Sequence, residues 1–214
     1  RGLDCHCDRY PYLASATDLD ILLPARATEG GAEEELRRLR DPAERRKLVP
    51  EVDREDWKSV VISRVTGSAN RKIEGMHMED IAAGRNKPPL DTFFDLLVEE
   101  ELKVEALFFG MSPDNLHAIL KKPYAMIGSD ASARSVTGPL SKGKPHPRTF
   151  GTFPRVLDRF VRDGVLTLPE AIHKMTGLPA RKLGLSDRGV IREGAAADLT
   201  VFDPNRIKAR ADYQ

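Results

Sequence analysis

Tyr124-Ala125-Met126-Ile127-Gly128-Ser129-Asp130 decides the fold. Four of its first five residues are apolar without alternation, Pro123 precedes them and a polar pair follows. A strand covered on both faces reads as a continuous apolar run, so this one is expected to be a buried parallel strand. In a parallel barrel the carboxyl end of each strand carries the chemistry, which makes Asp130 the first candidate site residue. A turn or helix-cap aspartate is the competing reading. Residues 131–151 are rich in Gly, Pro, Ser and Lys and read as a long loop, a kind of segment that is either functional or disordered.

Beyond that loop, apolar spacing predicts a helix over 153–163, with Phe153, Val156, Leu157, Phe160 and Val161 on one side and Gly164 after it. Thr167-Leu168-Pro169-Glu170 is a capping box that opens a helix burying Ala171, Ile172 and Met175. From Asp187 the pattern changes to short strands and tight turns. Upstream, Ser112-Pro113 starts a short helix with Leu116, Ile119 and Leu120 inward. Phe94, Leu97, Val98 and Leu102 mark a helix over 91–104, and residues 78–83 a shorter one. Val60, Val61 and Ile62 mark a strand within 57–65. Residues 32–48 form a charged helix interrupted at Asp41-Pro42. Residues 3–8 suit a strand that Tyr10-Pro11-Tyr12 ends, since Pro11 lacks a backbone donor.

Composition narrows the function classes. With 34 Lys and Arg against 33 Asp and Glu, the charge is mixed and no basic stripe forms, so nucleic acid is excluded as a partner. No apolar run reaches the ~18 residues that span a bilayer, so a membrane partner is excluded and a cytoplasmic location is expected. The chain has 214 residues and starts at Arg1, which reads as a processed, cloned or truncated product. It is short of the ~250 residues usual for an eight-stranded barrel. Cys5 and Cys7 are expected to be buried or half-buried thiols; a metal pair with His6 is the alternative, although His6 would point away from both in a strand. His77, His117 and His173 have no metal-like spacing.

Several motifs taken together carry a resemblance. They are Asp8-Arg9-Tyr10-Pro11-Tyr12, Ile127-Gly128-Ser129-Asp130, Lys144-Pro145-His146-Pro147-Arg148, Gly151-Thr152-Phe153-Pro154-Arg155 and the Asp187-Arg188-Gly189 turn before Ala197-Asp198. Along nearly its whole length the chain resembles the D-aminoacylases, the N-acyl-D-amino-acid deacylases of the amidohydrolase superfamily. The resemblance implies an α/β fold: the carboxyl-terminal part of a metal-dependent-hydrolase TIM barrel, strands seven and eight, with a large α+β insertion and a partial β-sandwich. Residues 1–12 are then strand seven and its loop, and 13–123 an insertion subdomain with connecting helices and a core around Trp57, Val60, Ile62, Phe94 and Leu97. Residues 124–187 are strand eight, the active-site loop and helices, and 188–214 the sandwich segment, whose exposed edges invite self-association.

The resemblance also assigns roles. Asp130 corresponds to the family's catalytic aspartate, which takes a proton from metal-bound water, passes it to the leaving amine and also touches the metal. Tyr10, Tyr12, Ser15, Thr17 and Met111 fall at substrate-binding positions, with packing as the other reading for the tyrosines and the methionine. His146 and Arg148 belong to the active-site loop, where the prolines flanking His146 favour bracing over ligand contact. The implied parent uses zinc and takes a small N-acyl-D-amino acid as substrate. Its metal-binding histidines lie on earlier strands, so the isolated chain is expected to hold no metal and to be inactive. Two departures point either to a different substrate pocket or to a divergent member: Ala131-Ser132-Ala133 stands where the family often has glycine, and Cys5-His6-Cys7 replaces apolar and hydroxyl residues. A hydantoinase-like cyclic amidohydrolase and a non-catalytic module that keeps the fold are the alternatives.

Overall fold

The computed structural model describes residues 2–52 and 56–213. Arg1 and Gln214, at the ends of the expected segments 1–12 and 188–214, lie outside the described residues, as do residues 53–55 within 13–123. The chain divides into two compact units. One comprises residues 1–13, 111–134 and 147–212, the other residues 14–110, 135–146 and 213–214.

The first unit is built on two parallel strands, β1 (Cys7–Arg9) and, at the far end of the sequence, a strand over Ala125–Ile127, paired Cys7 to Ala125, Asp8 to Met126 and Arg9 to Ile127. All three residues of Ala125–Ile127 are buried, as the apolar run requires. Gly128 permits the close approach of the two strands beyond their ends, since a Cβ there would stand 3.0 Å from that of Asp8. Cys5 and Cys7 are exposed, contrary to the expectation of buried or half-buried thiols. β1 has a ladder on one side alone among the described residues.

The second unit is an antiparallel sheet with helices. Its strands are β2 (Ala14–Asp18), β3 (Val60–Arg64) and β4 (Glu105–Phe109), in the order β2-β4-β3. The strand in 57–65 is thus present as β3, whereas β2 and β4 were not read from the sequence. Its helices are α1 (Ala25–Thr28), α2 (Ala32–Arg40), α3 (Pro42–Val52), α4 (Met78–Gly84) and α5 (Pro89–Glu99). The helix expected over 91–104 stops at Glu99, because Glu101 and Leu102 turn into positive φ (50° and 65°) and redirect the chain into β4. Val60, Ile62, Phe94 and Leu97 sit in the core of this unit, and Trp57 packs against it with its ring 5.5 Å from Phe93. α2 also buries Glu35, 4% exposed, whose Oε1 has no hydrogen-bond partner. Burial, and then the charge of Asp20, push the Glu35 carboxyl up to about 7.

The helices of the first unit are α6 (Pro113–Leu120), α7 (Arg148–Arg155), which runs on as a π-helix over Val156–Val161, α8 (Leu168–Met175) and α9 (Gly177–Lys182). Ser112 caps α6 by accepting from the Asn115 N–H, and both bonds of the Thr167–Glu170 capping box form at α8. We number the Ala125–Ile127 strand β5. The core joins Leu116, Leu120, Ile127, Val156, Leu157, Phe160, Leu166 and Ala171. Ile119 and Phe153, expected to face in, are 38% and 46% exposed. The helix expected from 153 begins at Arg148; this phase turns Phe153 outward. Residues 188–213 form no strand among the described residues, and Ile191, Leu199 and Val201 are exposed. A strand requires a ladder partner, and this segment has none there.

Candidate functional site

Asp130 lies three residues beyond β5, with φ 48°, in the left-handed region that Asp tolerates better than most residues. Its side chain is 71% exposed, and Oδ2 stands 2.9 Å from Nη1 of Arg148, whose side chain is 10% exposed. β5 is fixed beneath it by Lys174 of α8. That residue is 5% exposed, and its ammonium donates to the carbonyls of Lys122 and Ala125, the latter at 3.0 Å. Burial holds Lys174 below the usual lysine range.

Arginines and tyrosines alternate around this strand end. The Arg148 guanidinium lies over the Tyr10 ring at 4.7 Å, and that of Arg9 over the same ring at 4.5 Å. Arg9 also donates to the Tyr12 carbonyl at 3.0 Å and contacts the Met111 sulfur. Tyr12 is 1% exposed. Its hydroxyl donates to the Pro147 carbonyl at 3.3 Å, and its ring carries Arg155 at 4.7 Å. Arg155 Nε donates to the Pro11 carbonyl at 2.8 Å. Gly151 is required here, because a Cβ would collide with the Tyr12 hydroxyl. The motifs Asp8 to Tyr12, Pro147-Arg148 and Gly151 to Arg155 are thus one constellation: two aromatic rings held by three guanidiniums, with one carboxylate at its margin.

Asp130, Tyr10, Tyr12, Met111 and Arg148 belong to the first unit. Ser15, Thr17 and His146 belong to the second. Ser15 and Thr17 share one face of β2, opposite Phe108 and Ala106 of β4. His146 is 4% exposed, with Nε2 2.9 Å from the Ala14 carbonyl oxygen and its ring 5.2 Å from Tyr213. Sequence reasoning gave no role to Arg9 or Arg155. The available signal was arginine placed beside tyrosine in one motif and after Phe-Pro in the other.

Among the described residues, no group of three or more His, Cys, Asp or Glu side chains is placed to hold a metal ion. Asp130 offers one carboxylate where zinc takes three or four protein ligands, so the described residues alone do not fit a zinc site.

The sequence profile described as Amidohydrolase family matches residues 78–213, and the chain belongs to that family. Within the superfamily it is related to the D-aminoacylases and N-acyl-D-amino-acid deacylases. It is 38% identical over 144 residues to the D-aminoacylase of Alcaligenes xylosoxydans xylosoxydans, covering 67% of this chain and 27% of the relative. The N-acyl-D-glutamate deacylase of Bordetella bronchiseptica, solved with zinc and a phosphonate mimic of the tetrahedral intermediate, superposes with a TM-score of 0.72 at 31% identity. That match covers 99% of this chain and 36% of the solved chain. A dihydroorotase of Geobacter metallireducens is 52% identical over 46 residues, 22% of this chain. The chain therefore spans about a fifth to a little over a third of the deacylases it matches, and its α/β fold resembles their carboxyl-terminal part. No helix among the described residues is long and apolar enough to cross a membrane.

Proposed function

We propose that this chain is the carboxyl-terminal portion of a zinc-dependent hydrolase that cleaves N-acyl-D-amino acids to a D-amino acid and a carboxylate, with Asp130 as its proton carrier. The observation that carries the reading is the aspartate just past β5, exposed and paired with the arginine of the His146-Pro147-Arg148 motif. Amide hydrolysis adds water to the carbonyl carbon and expels an amine, so one proton leaves the water and one must reach the nitrogen. A single carboxylate at the strand end, open to solvent and held by one guanidinium, is suited to both transfers. Tyr10 and Tyr12, clamped by Arg9, Arg148 and Arg155, form the rigid wall against which the substrate is oriented. Ser15 and Thr17 are proposed to assist with the substrate carboxylate, and Met111 to border the side-chain pocket. His146 is proposed to brace the loop.

Zinc, in this reading, is held by residues other than those described, and the chain alone neither binds it stoichiometrically nor turns over substrate. The relationship to N-acyl-D-amino-acid deacylases supports this assignment over a cyclic amidohydrolase, because it extends over 144 residues at 38% identity, against 46 residues for one dihydroorotase and 97 residues at 29% identity for another. The test has two arms. Intact mass and zinc content of the purified 214-residue chain are expected to give protein without stoichiometric zinc. The polypeptide from the complete reading frame containing this sequence is expected to hydrolyse N-acetyl-D-amino acids and to lose turnover on Asp130→Asn. Unchanged kcat in that variant would remove Asp130 from the mechanism.

A further inference from the structure

Within the first unit, α6 and the helix running on from α7 border an open cleft of about 300 Å³ that the proposed chemistry does not use. Its apolar lining comes from Leu13, Leu116 and Phe160. Its polar lining comes from Arg155, Arg159, His117 and Asp163. Such a volume is at the small end of cavities that take organic ligands.

The guanidiniums are available. Arg155 spends Nε on the Pro11 carbonyl and its face on Tyr12, which fixes the group while its two Nη atoms have no protein partner among the described residues. Arg159 is 62% exposed and makes one loose ion pair, 3.7 Å to Asp158, whose carboxylate is already engaged by Arg162 and by the Ala209 N–H. The His117 ring stands edge-on to Phe160, at 5.7 Å and 90°. Asp163 opposes these charges, leaving one guanidinium in excess of carboxylate at the mouth.

We propose that this cleft is a binding site for a small monocarboxylate with an aromatic or short aliphatic body. The planar guanidinium fork matches a carboxylate through paired N–H···O bonds. The Leu13, Leu116 and Phe160 surface gains free energy only from an apolar body, which inorganic phosphate or sulfate does not offer. Asp163 disfavours dianions and leaves room for one negative charge. The inference is independent of the role of Asp130.

The experiment is a 1H–15N NMR titration of the chain with benzoate and hexanoate, using benzamide as the neutral isostere of benzoate. Saturable shifts centred on Leu116, His117 and Phe160 are expected, with benzamide weaker by roughly tenfold or more, the worth of one charge-assisted contact. Arg159→Glu, an exposed substitution, should weaken benzoate by a similar factor and leave benzamide unchanged. Leu13→Trp, which fills the lining, should remove binding of both. Absence of saturable shifts with either carboxylate would overturn the proposal. So would equal binding of benzoate and benzamide, or benzoate affinity unaltered by Arg159→Glu. If Leu13→Trp fails to fold, the Arg159 comparison still decides.

Discussion

Glu35→Gln should make the chain more stable at pH 8 while leaving the gap between the two proteins small at pH 5. Glu35 is 4% exposed on α2, and its Oε1 accepts no hydrogen bond. Burial first, and the Asp20 charge second, raise its carboxyl from the ordinary 4.5 to about 7, while Arg38 pulls the other way. Between these values the folded chain holds a proton that the unfolded chain has released. Stability therefore falls as pH rises from 4.5 to 7 and is flat above. The interval converts, at about 1.4 kcal/mol per pH unit, to about 3 kcal/mol. Glutamine cannot ionise and escapes this loss, and the protonated acid it replaces at pH 5 is likewise neutral. Asp20, itself raised by burial and by Asp18, titrates in both proteins. Urea unfolding of both proteins at pH 5 and pH 8 measures the change directly. The stability difference should move by about 3 kcal/mol in favour of glutamine between the two conditions. An equal difference at both pH values would refute the account of Glu35 as a buried, uncompensated carboxylate.

Lys174→Met should cost about 1–3 kcal/mol, since it strands the buried Ala125 carbonyl without a donor and removes the bond to the half-buried Lys122 carbonyl; thermal unfolding checks it. Thr167→Ala should cost about 1 kcal/mol by opening the capping box, with loss of amide protection in the first turn of α8 visible by hydrogen exchange. Arg148→Lys should lower Tm although charge is conserved, because a point charge replaces a planar group stacked on Tyr10; a loss of about 1 kcal/mol is expected from denaturant unfolding.

The parts of the fold that declared themselves in sequence did so through local chemistry. The apolar run before Asp130 could only be a covered strand, and Asp41-Pro42, Ser112-Pro113 and Thr167 to Glu170 each fix a helix boundary by their own hydrogen bonds. β2 and β4 did not, because Ala14–Asp18 and Glu105–Phe109 are defined by pairing with one another across the chain. The turn at Glu101-Leu102 escaped notice because its positive φ is carried by residues that give no glycine signal. The start of α7 was hidden behind Pro145 and Pro147, which read as extended. The short strands expected after Asp187 do not form, because the described residues provide no ladder partner for them. At the candidate site, the place of Asp130 past a strand end was legible. The guanidiniums on Tyr10 and Tyr12 were not, since stacking depends on how residues 148–155 return to residues 9–12.

The π-helical stretch at Val156–Val161 acts as a phase shifter. Pro154, inside α7, has no N–H for the α-helical ladder, and hydrogen bonds beyond it skip one residue further. Each residue in an α-helix advances the side-chain direction by about 100°. A change in winding therefore swings every later residue around the axis. Before the shift, Arg148 and Arg155 address the tyrosines; after it, Val156, Leu157 and Phe160 address the core. One rod thus serves two clients that an unbroken helix of the same sequence would misalign. Inserting or deleting a single residue here would detune the pair without touching either surface.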